Sequence, residues 1–261
     1  DVLIVDINLL ENNFSAGSFN DEQFKDTWVK SASLFIPQLN ELLSFTPLEK
    51  NIFDIDYFKN DDSLEFINIF SKHSCDKVSS HNYQNVYSYI LNDIGRYSEL
   101  NLLEIGIGTT NRDLVSHMRG GPRGYVPGAS LRAFREYLPN ANIYGADVDR
   151  DILFNEDRIQ TSYVDQLEYS TFENMSNNFG NKKFDIIIDD GLHSIGANLN
   201  TLLFALQNLK DFGWIVIEDI LPQFESNWLV VDFILSNIDG LESYLVRTNE
   251  DVLLYVVKKE N

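Results

Sequence analysis

Two short acidic phrases hold the residues best suited to chemistry in this chain: Asp189-Asp190-Gly191-Leu192-His193 and Ile217-Glu218-Asp219. Each closes a mostly apolar run, Phe184–Asp189 and Trp214–Ile217, of the kind that forms a strand buried on both faces. Neighbouring strands lie about 5 Å apart. The carboxyl ends of these two strands would therefore bring Asp190, Glu218 and Asp219 together. Carboxylates held so close repel one another and have raised pKa values. A hard divalent cation relieves that conflict, and an oxygen-only donor set suits Mg2+, Ca2+ or Mn2+. The plainer reading is that the acids cap the helices that follow. His193 stands three residues after Asp190, where its ring would take the proton of a bound hydroxyl. The cation would lower the pKa of that hydroxyl and orient it. A lone histidine usually packs or faces solvent, and His73, His81 and His117 have no comparable acidic setting.

A second phrase, Leu102-Leu103-Glu104-Ile105-Gly106-Ile107-Gly108-Thr109, is an apolar run leading into glycines. Glycine at a strand end lets backbone approach a ligand closely, and the acid before it suits a cationic ligand group. A dinucleotide fold would want G-x-G-x-x-G, but Asn111 occupies the third position. It would also want an acid about 20 residues on, for the ribose, and Asp147 lies much further away. A nicotinamide dehydrogenase is therefore disfavoured. The next strand, Ile143-Tyr144-Gly145-Ala146-Asp147, ends in an acid, with Asp149 two residues on. Another ends Tyr163-Val164-Asp165-Gln166. Singly, such residues are most often caps or turn formers; in this order, at successive strand ends, they suggest one ligand edge.

The elements that must position these phrases can be read from periodicity and punctuation. Strands are expected at Leu100–Ile107, Asn142–Val148, Thr161–Val164, Phe184–Asp189 and Trp214–Ile217, with a closing hairpin of Ser243–Arg247 and Val252–Lys258. Helices are expected at Asn85–Ile94, Ser130–Leu138, Asn198–Leu209 and Asn227–Ser236. Ser130 reads as an N-cap and Pro139 follows the end of its helix. Arg119–Gly128 is a loop rich in glycine and proline. Alternating strands and helices imply a mainly parallel sheet covered on both faces, with ligands at the carboxyl ends of its strands. Before this domain, placed at residues 81–261, Glu22–Leu39 and Ser63–Ser71 predict a mostly helical N-terminal region over residues 1–80.

The chain has 261 residues, 20 basic and 40 acidic, for a net charge of -20. Such a surface repels phosphate backbones and anionic lipid, which argues against nucleic acid or membrane partners. No apolar run approaches the roughly 20 residues of a membrane helix, and the opening DVLIVDINLL lacks the basic start of a signal peptide. The single cysteine, Cys75, permits no internal disulfide. A cytoplasmic setting is expected, and a homo-oligomer is compatible with all of this. The absence of an initial Met is expected of a processed chain or an excised domain.

The Glu-x-Gly-x-Gly phrase after a strand resembles motif I of class I methyltransferases that use S-adenosylmethionine (SAM). More specifically, three runs look like the metal-dependent sugar O-methyltransferases of macrolide and related natural-product biosynthesis. They are Pro127-Gly128-Ala129-Ser130-Leu131-Arg132-Ala133-Phe134-Arg135, Tyr137-Leu138-Pro139-Asn140-Ala141 and Ile143-Tyr144-Gly145-Ala146-Asp147. That family includes mycinamicin- and rhamnosyl-type enzymes, and cephalosporin hydroxylase-like proteins are related. The likeness continues through both acidic phrases and spans roughly residues 75–222.

It implies a Rossmann-like α/β fold, with a mostly parallel seven-stranded sheet and a C-terminal antiparallel hairpin. It implies Asp190, Glu218 and Asp219 as Mg2+ ligands and His193 as general base. It also implies a SAM site lined by Glu104, Gly106, Ser130, Asp147, Asp165 and Gln166. In a looser match, Asp76-Lys77 followed by His81-x-Tyr83 resembles a segment in which the tyrosine reaches the donor. Leu192 departs from the serine frequent in the family. The function so implied is methylation of a hydroxyl on a sugar or polyketide-type small molecule, the cation-held hydroxyl acting as nucleophile. Two other readings stand beside it: an O-methyltransferase domain of a polyketide synthase working on a carrier-bound hydroxyl, and a SAM-binding assembly protein without catalysis.

Overall fold

The computed structural model describes residues 52–78, 82–118, 124–248 and 252–260, all within the unit Lys50–Asn261. The helix expected at Glu22–Leu39 and His81 lie outside the described residues, as does much of the loop expected at Arg119–Gly128. The chain runs through Ile52–Asp54 (β1), Ser63–Lys72 (α1), Gln84–Asp93 (α2), Asn101–Ile105 (β2), Ala129–Tyr137 (α3) and Asn142–Asp147 (β3). It continues through Asn155–Glu156 (β4), Ile159–Tyr163 (β5), Ser170–Asn178 (α4), Phe184–Asp189 (β6), Ile195–Asn208 (α5) and Leu209–Ile220 (β7). Glu225–Leu235 (α6), Leu241–Arg247 (β8) and Leu253–Lys259 (β9) complete it.

The strands form one sheet in the order β1-β8-β9-β7-β6-β2-β3-β5-β4. β2 lies between β3 and β6 and is parallel to both; β6 is parallel to β7 and β3 to β5. Antiparallel pairing is confined to β4 on β5, β9 on β7 and β8 on β9. The central strands are buried on both faces, which is why Leu102, Leu103 and Ile105 and then Ile186, Ile187 and Ile188 read as runs rather than alternations. The parallel strands β2, β3, β5, β6 and β7 end at one edge, and the acidic and glycine phrases all leave from it.

Three expectations need correction. The sheet has nine strands among the described residues, not seven. The additions are β1, three residues long, and β4, two; runs that short leave no periodic signal. Residues 52–54, expected within a helical region, extend the same sheet by pairing in parallel with β8. Ser130 is not the N-cap of α3. That place falls to Gly128 (φ +78°), because the Ser130 hydroxyl is engaged by Glu104 instead.

Aromatic packing fixes the helices over the sheet. Phe66 and Phe70, four apart on α1, stack at 3.8 Å between centroids. Both rings meet Phe134 of α3, and Phe66 also stacks on Tyr87 of α2. This cluster holds α2 so that Tyr83 and Tyr87 reach the carboxyl edge of the sheet.

Candidate active site

The turn after β2 is built by backbone contact. Gly106 has φ +87°, and a Cβ there would lie 2.1 Å from the Asp190 carbonyl oxygen. Gly106 N–H donates to Ala146 O, and Asp190 N–H donates to Ile105 O, each at 2.8 Å. The ends of β2, β3 and β6 are thus tied together, which only glycine at 106 permits. Glu104, wholly buried, accepts the Ser130 hydroxyl and lies 3.1 Å from Lys77 Nζ. Burial raises its carboxyl pKa, and Lys77 opposes that rise.

Asp147 ends β3 as expected. Its Oδ2 accepts the Ile107 N–H at 2.8 Å and its Oδ1 the Asp149 N–H at 2.9 Å, and burial raises its pKa. Asp149 accepts from the Thr109 hydroxyl and from Asp151 N–H. Asp165 accepts the Leu167 N–H at 2.9 Å, the local turn its residue type favours.

Asp190, His193 and Asp219 each offer a ligand atom, and these atoms lie within 4.8 Å of one another. Their side chains are 24–28% exposed, so the cluster opens to solvent. His193 and Asp219 have φ +54° and +53°. A left-handed backbone at two non-glycine residues costs of order 1–3 kcal/mol each and concentrates at functional sites. His193 Nε2 is 3.9 Å from Asp219 Oδ2, while its buried Nδ1 has no hydrogen-bond partner among the described residues. Tyr83, expected to reach a donor molecule, gives its hydroxyl to Asp219, and burial with the neighbouring acids raises its pKa far above the phenolic range.

Glu218 points the other way. Its carboxylate, 1% exposed, accepts from the Tyr87 hydroxyl and from Lys77 Nζ at 2.7 Å. Lys77, also 1% exposed, reaches Asp190 Oδ2 at 2.6 Å as well. Its three N–H donors thus face three carboxylates, two on the acidic phrases and one on the glycine phrase. Those carboxylates hold its pKa well above the lysine range in spite of burial. Neither Lys77 nor Tyr87 is expected at the site from the sequence. The four-residue spacing of Tyr83 and Tyr87, one face of a helix, is the signal that points to the second.

The donor set suits a hard cation. Two donors on opposite sides of such an ion, each 2.0–2.6 Å from it, are about 4–5 Å apart, and Asp190 and Asp219 offer two carboxylates at that spacing. Gln166, expected beside the ligand, has its amide engaged by Asp189, Thr201 and Leu192.

No family model matches the chain. Among curated proteins it is 33% identical over 126 residues to the mycinamicin VI 2''-O-methyltransferase of Micromonospora griseorubida, covering 48% of this chain and 28% of that one. It has the same identity and coverage with the demethylmacrocin O-methyltransferase of Streptomyces fradiae. It is 27% identical over 180 residues to the 8-demethyl-8-alpha-L-rhamnosyl tetracenomycin-C 2'-O-methyltransferase of Streptomyces olivaceus, 65% of this chain and 44% of that one. The chain therefore spans less than half the length of these relatives. Its fold matches the MycE methyltransferase of the mycinamycin pathway, solved with Mg and SAH, at TM-score 0.57 and 23% identity over 78% of this chain and 55% of that one. The described architecture is thus the Rossmann-like α/β fold of class I methyltransferases, and the chain resembles the sugar O-methyltransferases of macrolide and tetracenomycin pathways.

Proposed function

We propose that this chain is a SAM-dependent O-methyltransferase whose acceptor is a hydroxyl on a sugar carried by a macrolide- or polyketide-type small molecule, with Mg2+ as its cation. The observation that carries the reading is the cluster of Asp190, His193 and Asp219 opening beside the Glu104–Gly108 turn on this fold. SAM supplies an electrophilic methyl group, and Mg2+ supplies charge that lowers the pKa of the acceptor hydroxyl.

Asp190 and Asp219 are the proposed oxygen ligands within the cluster, and Glu218, the third that the resemblance implies, would have to give up Lys77 or Tyr87 to join them. Asp190 and Asp219 already face one another, and Glu218 is shared with Lys77 and Tyr87. Glu104 and the glycine turn would hold the amino-acid end of the donor, with Ser130 orienting Glu104 and Tyr83 orienting Asp219. Asp147 would accept from the ribose hydroxyls, and Asp165 would stand beside the adenine. His193 Nε2 takes the acceptor proton, and Asp219 at 3.9 Å stabilises the imidazolium so formed. SAM would supply the methyl group, the new C–O bond forming as its S–C bond breaks and SAH leaves.

Methyl transfer from labelled SAM to desmethyl glycosylated macrolides, with Mg2+ and with excess EDTA, tests the reading. Labelled product with Mg2+ and none with EDTA is the expected result. Full turnover in EDTA removes the cation's role. SAH failing to bind at all overturns the proposal.

A further inference from the structure

The chain segment that carries Asp190 and His193 is short and strained, with His193 at φ +54°, and something must hold it. The side chain of Gln166, 7% exposed at the end of β5, does so from across the sheet edge. Its Oε1 accepts the Leu192 N–H, and its Nε2 donates to Asp189 Oδ1 and to Thr201 Oγ1, all three at 2.8 Å. An amide nitrogen has two hydrogens to give, and both are given.

The surrounding bonds point the same way. Asp189 Oδ1 also takes the Gly191 N–H at 3.2 Å, and its Oδ2 takes Asn198 Nδ2 at 3.0 Å. The Gln166 carbonyl accepts from Asn200 Nδ2, also 2.8 Å away. Ser116 Oγ secures the Gly191 carbonyl at 2.9 Å from the opposite side. A Cβ at Gly191 would sit 2.1 Å from Gln166 Oε1, so glycine there is what lets the amide come so close.

We infer that Gln166 is a positioning residue for the segment bearing the cation ligand Asp190 and the base His193, rather than a contact to the adenine. The inference rests on the proposed roles of those two residues. Loss of the Gln166 amide frees Leu192 and lets the left-handed turn at His193 relax, which moves His193 and Asp190 away from Asp219. The parts of the donor pocket built on the β2 and β3 turns are left in place.

Three measurements on Gln166→Leu separate the two roles: hydrogen exchange at the Leu192 amide, Mn2+ binding by electron paramagnetic resonance, and SAH binding by calorimetry in EDTA. Leu192 exchange at least tenfold faster, Mn2+ binding at least tenfold weaker and SAH affinity within threefold of wild type are expected. SAH binding weakened tenfold, with Leu192 exchange and Mn2+ affinity unchanged, overturns the inference and returns Gln166 to the adenine. If the wild-type chain takes up no Mn2+, it is the cation reading that fails. Leu192 exchange and the His193 ring resonances then decide the positioning role alone, and no change in either overturns it. Thr201→Val removes a single partner of the amide and serves if the leucine variant does not fold. A smaller acceleration at Leu192 is then expected, and an unchanged rate overturns the inference.

Discussion

The Lys77 ammonium lies 2.7 Å from the Glu218 carboxylate, and both side chains are 1% exposed. One buried cation thereby joins the short helical turn Asp76–Val78, which precedes α2, to the end of β7. With Asp190 and Glu104 it also ties the acidic phrases to the glycine turn.

Removing that cation strands three carboxylates. A buried pair broken from one side typically costs about 3–5 kcal/mol, because the remaining charge stays uncompensated. Lys77→Met should lower unfolding free energy by about that much in EDTA, read by urea titration. Adding Glu218→Gln to it should recover part of the loss, since one of the stranded charges is then gone. A loss under about 1 kcal/mol would mean that the cluster rearranges or takes up protons instead.

The two halves of the site differed in how openly the sequence displayed them. Asp147, Asp190, Glu218 and Asp219 stand at the ends of apolar runs, so the strand pattern alone put them on one edge. The direction of each carboxylate was hidden, because it depends on partners far off in sequence: Lys77 and Tyr87 for Glu218, Tyr83 for Asp219. The bonds of the Gln166 amide were hidden for the same reason, since its partners lie on β6, the following turn and α5. In the fold, the long buried strands announced themselves, while β1 and β4 are too short to do so. Ser130 looked like a cap because serine caps helices well, but here the buried Glu104 claimed its hydroxyl.

Two glycines with similar backbone angles should respond very differently to alanine. Gly106, at φ +87°, would thrust a Cβ to 2.1 Å from the Asp190 carbonyl oxygen, whereas Gly180, at φ +72°, has nothing within 4 Å. Gly180→Ala should cost only the left-handed penalty, roughly 1–2 kcal/mol. Gly106→Ala adds a backbone clash at the meeting of β2 and β6, so it should cost more and abolish SAH binding. Thermal melts and calorimetry of the two variants make the comparison; equal losses would contradict the close approach.

The Glu136 carboxylate joins α3 to α1, with Lys72 Nζ at 2.7 Å and His73 Nε2 at 2.8 Å. These hydrogen bonds hold its pKa below the usual carboxylate value. A lowered folded pKa gives stability that is present above the unfolded value, about 4.3, and lost as pH falls through the folded one. The side chain is 36% exposed, so solvent screening keeps the effect to about 1 kcal/mol or less. Glu136→Gln should therefore lower stability slightly at pH 7 and make no difference under strongly acidic conditions. Urea midpoints across that range would show the two curves converging toward acid; parallel curves would remove the ion pair's part.

His193 offers a nitrogen to the same cluster in which it is proposed as base, and one variant separates the two roles. A general base typically contributes 10²–10⁴-fold to rate, whereas a hard cation prefers oxygen donors. If His193 only moves the proton, His193→Ala should cut methyl transfer by roughly 10²–10⁴-fold. Mn2+ and SAH affinities should then stay within a few-fold of wild type, because Asp190, Glu218 and Asp219 remain. If the ring ligates instead, Mn2+ binding itself should weaken by an order of magnitude or more, and excess Mn2+ should restore part of the rate. Titrating Mn2+ against both proteins, then repeating the transfer assay at saturating Mn2+, distinguishes these outcomes. A rate that stays low at saturation assigns the proton to His193.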